Sequence, residues 1–142
     1  MIEIVLYNSN YQPAFKRLNL AWLDRYQLTE SHDLDILDDP EGQVISKDGA
    51  VFMALDGEKV VGTAGIKKAH EDVYELVKMA VDPGWQGRGI SKLLLEQCIR
   101  SAREKGAVKM ILFSNSQLLP ALKLYERYGF QYVEVEGTPL LT

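Results

Sequence analysis

The chain has 142 residues, 46% apolar and 25% charged, and its 20 acids against 16 lysines and arginines give a net charge of −4. This length predicts one domain over 1–142 with a single substantial core. The acidic balance argues against a nucleic-acid partner, which would call for a basic face. Cys98 has no internal disulfide partner, which suits a reducing cytoplasm. No run approaches the roughly 18 apolar residues of a membrane span. The opening MIEIVLYNSN has neither the basic n-region nor the apolar length of a signal peptide, so a cytoplasmic location is expected.

Residues 2–7, IEIVLY, read as a strand bounded by the polar turn NSN. Residues 13–26 read as a helix, with Pro13 in its first turn and Phe15, Leu18, Trp22 and Leu23 at helical spacing. The acidic ESHDLDILDDPE is part helix, ended by Pro40. AVFMAL and KVVGTAGIKK form a hairpin around DGEK, and VYELVKMAV, 73–81, is a further strand. A helix is expected over 87–105, with Ile90, Leu94, Cys98 and Ala102 on one stripe, Arg103 and Lys105 in its last turn and Gly106 as its stop. VKMILFS, 108–114, reads as a buried strand, 117–128 as a helix stopped by Gly129, and FQYVEV as the last strand. The β-α-β unit over 73–114 predicts a parallel pair with a right-handed crossover, hence an α/β domain on a mixed sheet.

The segment VDPGWQGRGISKLLLE, 81–96, carries a strand into a glycine turn and directly into a helix. It is not a P-loop: Gly84 and Gly89 have the spacing, but Ile90 and Ser91 follow where Lys and Ser/Thr belong. It is not a Rossmann fingerprint either, because Lys92 stands where the third glycine would follow Gly87 and Gly89. A helix N-terminus of this kind either holds an anion or is a turn without a ligand.

The same residues, VDPGWQGRGIS, resemble the acyl-CoA signature of the GNAT superfamily of N-acetyltransferases, Q/R-x-x-G-x-G/A after a strand ending in V-x-P. Gln86, Gly89 and Ser91 hold the pattern positions, Ser91 in place of the usual Gly or Ala. NSQLLPALKLYERYGF, 115–130, is similar to the later family motif, in which an Asn, here Asn115, ends a strand and a helix carries Ala121 and Tyr125 before Gly129 and Phe130. The pair VVGTAGIKK and YELVKMAV matches in order too, so the resemblance spans 50–131.

The resemblance implies a GNAT fold: a mixed six- to seven-stranded sheet flanked by helices, with a central β-α-β crossover and splayed strands holding acetyl-CoA. Acetyl-CoA would be the acyl donor, an amine the acceptor, and no metal would take part. Backbone N–H groups of Gly87, Arg88, Gly89, Ile90 and Ser91 would wrap the pyrophosphate, with glycine allowing close approach. The Arg88 side chain adds a charge-assisted contact or is solvated. Pro83 removes a ladder donor where the strand parts from its neighbour. The pantetheine arm would lie between strands 73–81 and 108–114, pairing with backbone near Met79 and Val81. A backbone N–H around Met79 or Ala80 would face the oxyanion, and Tyr125 would protonate the leaving thiolate. Glu75 or a water chain would be the base. Alternation along the strand places Glu75, Val77, Met79 and Val81 on one face.

Other residues carry weaker signals. His70 reads as a solvated turn residue and Cys98 as packing. The two histidines and one cysteine have no metal-ligand spacing. Lys123 either reaches a 3′-phosphate or is solvated. The acids Glu30, Asp33, Asp35, Asp38, Asp39 and Glu41 form a solvated face or a rim that steers a cationic amine. Trp22 and Tyr26 pack the core or floor a pocket. The closing EGTPLLT is short for the further strand many family members carry, so either an exposed sheet edge or a homodimer that covers it is expected. The leading function is acetyl transfer to a primary amine of a small molecule or peptide. The alternative is a catalytically silent CoA-binding sensor, and the third reading, a nucleotide-binding protein, lacks the P-loop lysine and the third Rossmann glycine.

Overall fold

A computed structural model describes residues 1–25, 31–112 and 119–130. The expectations on Tyr26, Glu30, Asn115, Phe113, Ser114 and the strand and tail beyond Phe130 lie outside the described residues. So do those on the side chains of Trp22, Leu23, Asp33 and Ala121.

Five strands are described: β1 (Ile2–Leu6), β2 (Ala50–Asp56), β3 (Lys59–His70), β4 (Val73–Val81) and β5 (Lys109–Ile111), side by side in that order. β1 to β4 run antiparallel to one another, and β4 and β5 are parallel. Between β4 and β5 the chain crosses through α4 (Ile90–Glu104), as the β-α-β reading requires. α1 (Gln12–Arg25), α2 (Ser31–Asp38) and α3 (Pro40–Gln43) precede the hairpin, and α5 (Leu119–Arg127) follows β5.

Helices cover both faces of the sheet and make two cores. On one side Phe15 and Leu18 of α1 and Leu37 of α2 pack with Val51, Met53, Leu55, Val60 and Ala80. On the other, Ile90, Leu94, Leu95, Cys98 and Ala102 of α4 and Tyr125 of α5 pack with Phe52, Ala64, Ile66, Tyr74 and Leu76. This double cover explains why β2 reads AVFMALD, an apolar run without alternation. The Tyr74 hydroxyl donates to Asp48 at 2.6 Å, and Lys105 at the end of α4 lies 3.5 Å from the same carboxylate. That bond pushes the Tyr74 phenol up to about 12, with burial adding to it.

Three boundaries differ from expectation. α4 begins at Ile90, not at 87, because Gly87 and Gly89 have φ of +80 and +77, which no α-helix accommodates. Pro40 ends α2 but also opens α3, where the Asp39 carboxylate accepts from the Gly42 N–H at 3.0 Å. β5 is not buried: Lys109 is exposed and Met110 and Ile111 are half-buried, since β4 is its only neighbour among the described strands.

Gly49, just before β2, has no room for a side chain. A Cβ there would press on the Ile66 carbonyl oxygen and stand 2.6 Å from that of Val44. Both obstacles are backbone, so Gly49→Ala is expected to cost about 1–3 kcal/mol of stability. Urea unfolding followed by circular dichroism measures this; an unchanged midpoint would contradict it.

Candidate functional site

The turn from β4 to α4 is built by local capping. The Asp82 N–H donates to the Val61 carbonyl at 2.8 Å, and its carboxylate accepts from the Gly84 N–H at 3.0 Å. Pro83, Gly84 and Trp85 make one 3-10 turn, after which Gln86, Gly87, Arg88 and Gly89 are exposed and Ile90 is buried. Gly89 is the N-cap of α4, and no side-chain oxygen caps it. The first-turn N–H groups, including those of Ile90 and Ser91, are therefore open to a ligand at the positive end of the helix dipole. Around this mouth the Lys59 ammonium lies 4.2 Å, and the Arg88 guanidinium 5.6 Å, from the centroid of the Trp85 ring, whose indole N–H donates to Asp56 at 3.1 Å. Arg88 thus rests on Trp85 and keeps its charge beside the turn.

Among the described residues, β5 pairs with only the start of the strand that leads to that turn. β5 pairs with β4 only at Val73, Tyr74 and Glu75, opposite Lys109, Met110 and Ile111. From Leu76 to Val81 no described strand lies on that side of β4, while β3 continues beside it on the other.

β4 is not a regular strand. Thr63 faces Ala80 and Gly65 faces Val77, so the single residue Ala64 lies opposite two, Lys78 and Met79. Lys78 has φ of +53, a left-handed conformation that costs an L-residue roughly 1–2 kcal/mol. This bulge overturns the expected alternation. Tyr74, Leu76, Met79 and Val81 face the α4 core, and Ala80 faces the α1 core. A Cβ on Gly65 would meet both Val51 and Val77 at 3.4 Å, which places Val77, and with it Glu75, on the α1 face. Glu75 and Met79 therefore lie on opposite faces, not on one, because the extra residue shifts the period by one position.

What holds the bulge is a buried polar chain that the sequence reading missed. The Asn19 amide donates to the Thr63 hydroxyl at 3.1 Å and to the Phe15 carbonyl at 2.9 Å. The Thr63 hydroxyl donates to the Lys78 carbonyl at 2.9 Å. Asn19 is 3% exposed and Thr63 0%. The available signals were glycines on either side of Thr63, in GTAG, and an asparagine on the apolar stripe of α1.

Tyr125 sits on α5, 8% exposed, in the α4 core. Burial, followed by the nearby Cys98 thiol, pushes its phenol up to about 12. The Phe130 ring packs edge-on against it at 5.9 Å, and the Phe130 N–H closes α5 on the Tyr125 carbonyl at 3.1 Å, with Gly129 at φ of +88 making the turn. That is the structural use of the Gly-Phe pair. Cys98 is fully buried, and burial pushes its thiol up to about 12, so it is an inert packing residue.

The remaining candidates are dispersed. His70 ends β3 and is exposed, as is Lys123 on α5. Part of the acidic run is structural: Asp38 pairs with Lys16 of α1, and Asp39 caps α3. Among the described residues no helix is long and apolar enough to cross a membrane.

Comparison with known proteins agrees with this geometry. The model of the acetyltransferase (GNAT) family matches residues 13–130. The uncharacterized N-acetyltransferase YjgM of Escherichia coli K12 is 31% identical over 129 residues, covering 86% of this chain and 77% of that one. Mycothiol acetyltransferase of Corynebacterium glutamicum is 31% identical over 88 residues; the match covers 62% of this chain but only 30% of that protein. Among solved structures, a GNAT-family acetyltransferase from Staphylococcus aureus Mu50 superposes with a TM-score of 0.87 at 23% identity, covering 98% of this chain and 89% of that one. AAC(6')-Iy, in complex with the bisubstrate analogue CoA-S-monomethyl-acetylneamine, superposes with a TM-score of 0.73 at 21% identity, covering 95% and 94%. The fold is that of these acetyltransferases, and the chain belongs to the acetyltransferase (GNAT) family of acyltransferase enzymes.

Proposed function

We propose that this protein transfers the acetyl group of acetyl-CoA to a primary amine of a small-molecule or peptide acceptor by direct attack. One observation carries the reading: an uncapped helix N-terminus, opened by two left-handed glycines, directly follows β4. The pyrophosphate would sit on the N–H groups of Gly87, Arg88, Gly89, Ile90 and Ser91, with Gln86 at the rim. The pantetheine would lie along β4, against the backbone of Met79, Ala80 and Val81. Asn115 would be a further cofactor-binding residue, as the family motif implies. The relatives named as N-acetyltransferases and the CoA analogue held by AAC(6')-Iy support this reading.

In the reaction the amine nitrogen attacks the thioester carbonyl, the C–O π electrons move to oxygen, and a β4 N–H stabilises the oxyanion. Collapse forms the amide and breaks the C–S bond. Tyr125 then donates a hydrogen bond to the sulfur, which leaves as the thiolate. A phenol near 12 is a weaker acid than an alkyl thiol near 8.5, so Tyr125 keeps its proton and stabilises the departing thiolate by hydrogen bonding. Glu75 would take the amine proton from the α1 side of β4, the side that α1 and α2 wall.

The test is a panel of amines, from amino acids and polyamines to peptides, screened for acetyl-CoA-dependent thiol release with mass analysis of the product. An N-acetylated product establishes the activity. A full panel without release, from a protein that binds acetyl-CoA, would favour the sensor.

A further inference from the structure

We propose that Thr63 and Asn19 are positioning residues for acetyl transfer: their buried hydrogen-bond chain holds the Lys78–Met79 peptide so that its N–H points at the thioester oxygen. The inference rests on the acetyl-CoA reading above and adds two side chains from outside the cofactor turn.

One peptide unit, between Lys78 and Met79, links the chain to the thioester. A trans peptide is planar, so the Lys78 carbonyl and the Met79 N–H point in opposite directions. Thr63 belongs to β3 and takes the Lys78 carbonyl at 2.9 Å. The Met79 N–H must then point away from β3, toward the β5 side of β4. In an unbulged ladder, peptide groups alternate between the neighbouring strands and the next residue would carry this donor. The left-handed Lys78 places it one position earlier than the regular pattern.

The direction of the chain is fixed by chemistry. The Asn19 amide nitrogen can only donate, so the Thr63 oxygen accepts from it and spends its one proton on the Lys78 carbonyl. Asn19 spends its other proton on the Phe15 carbonyl in its own helix, which anchors it. All of this is sealed from water, since Thr63 and Asn19 are 0% and 3% exposed. A chain of buried bonds of this kind offsets the cost of the left-handed residue and leaves the peptide one orientation. Its anchor is α1, so the helix that walls one side of the site also sets the oxyanion donor on the other.

The experiment is amide NMR on the full chain, with acetyl-CoA and CoA titrated separately into wild type, Thr63→Val and Thr63→Ser. In wild type and Thr63→Ser the Met79 amide should move downfield with acetyl-CoA and not with CoA, while the Gly87 and Gly89 amides move with both. In Thr63→Val the glycine shifts should persist and the acetyl-specific Met79 shift should be lost. Should Thr63→Val fail to fold, Asn19→Ala, which removes the donor to the hydroxyl, carries the same expectation. A Met79 shift that survives loss of the hydroxyl overturns the inference, as does a wild-type Met79 that does not distinguish the two ligands. Glycine amides that ignore both ligands would overturn the cofactor reading itself, a separate and recognisable failure.

Discussion

Tyr125→Phe is expected to lower turnover roughly 10²–10⁴-fold, the usual contribution of a positioned proton donor, while acetyl-CoA affinity stays nearly unchanged. The ring can keep its place, since packing against Phe130 and the α4 core does not involve the hydroxyl. What is lost is the donor to the departing sulfur, an interaction made only as the C–S bond breaks, so the loss falls on kcat. The pH profile adds a second check. Burial raises the phenol to about 12, so the donor form is complete below pH 10 and disappears only as pH rises through 12. The wild-type rate should therefore climb as the amine or its base deprotonates, with no falling alkaline limb below about pH 10. Full turnover in the Phe variant, with an amine found by thiol release, would remove Tyr125 from the chemistry.

Gly89→Ala should separate binding from stability. A Cβ at Gly89 would meet no atom within 4 Å, so the fold bears only the left-handed strain, roughly 1–2 kcal/mol. That open space is where the pyrophosphate is proposed to lie, and a methyl group there both fills it and tilts the N–H groups. Acetyl-CoA affinity should fall at least about tenfold to a hundredfold, or 1.4–2.8 kcal/mol. Gly57, in the hairpin turn between β2 and β3, is the control: it has φ of +64 and is equally open, but lies outside the turn that opens α4. Gly57→Ala should lose similar stability and no affinity. Calorimetric titration with acetyl-CoA on both variants decides; equal affinity losses would mean that Gly89 acts only through the fold.

Local patterns carried most of the fold. The α4 stripe was legible because Ile90, Leu94, Cys98 and Ala102 repeat at helical period, and all four are buried. The hairpin was legible because Gly57, with φ of +64, sits in its two-residue turn. The start of α4 was misplaced for a local reason too: glycines that read as a helix entrance are left-handed and cannot belong to it. The face of Glu75 was not legible, because period-two counting assumes an unbroken ladder. The bulge at Lys78 depends on Thr63 and Asn19, which are 15 and 59 positions away in sequence. No pattern within β4 announces it. The same applies to the acidic run, where Asp38 finds Lys16 only once α1 and α2 pack.

The most direct test of the account is the thermal midpoint of the protein with acetyl-CoA, beside ATP and NAD. A ligand at 100 times its dissociation constant adds about 2.7 kcal/mol to the folded state. For a domain of this size that is a rise of several degrees. The account predicts that acetyl-CoA raises the midpoint by this amount and that ATP and NAD, whose binding motifs the turn lacks, leave it in place. A midpoint that does not move with millimolar acetyl-CoA would contradict the central claim that the turn between β4 and α4 is a cofactor site.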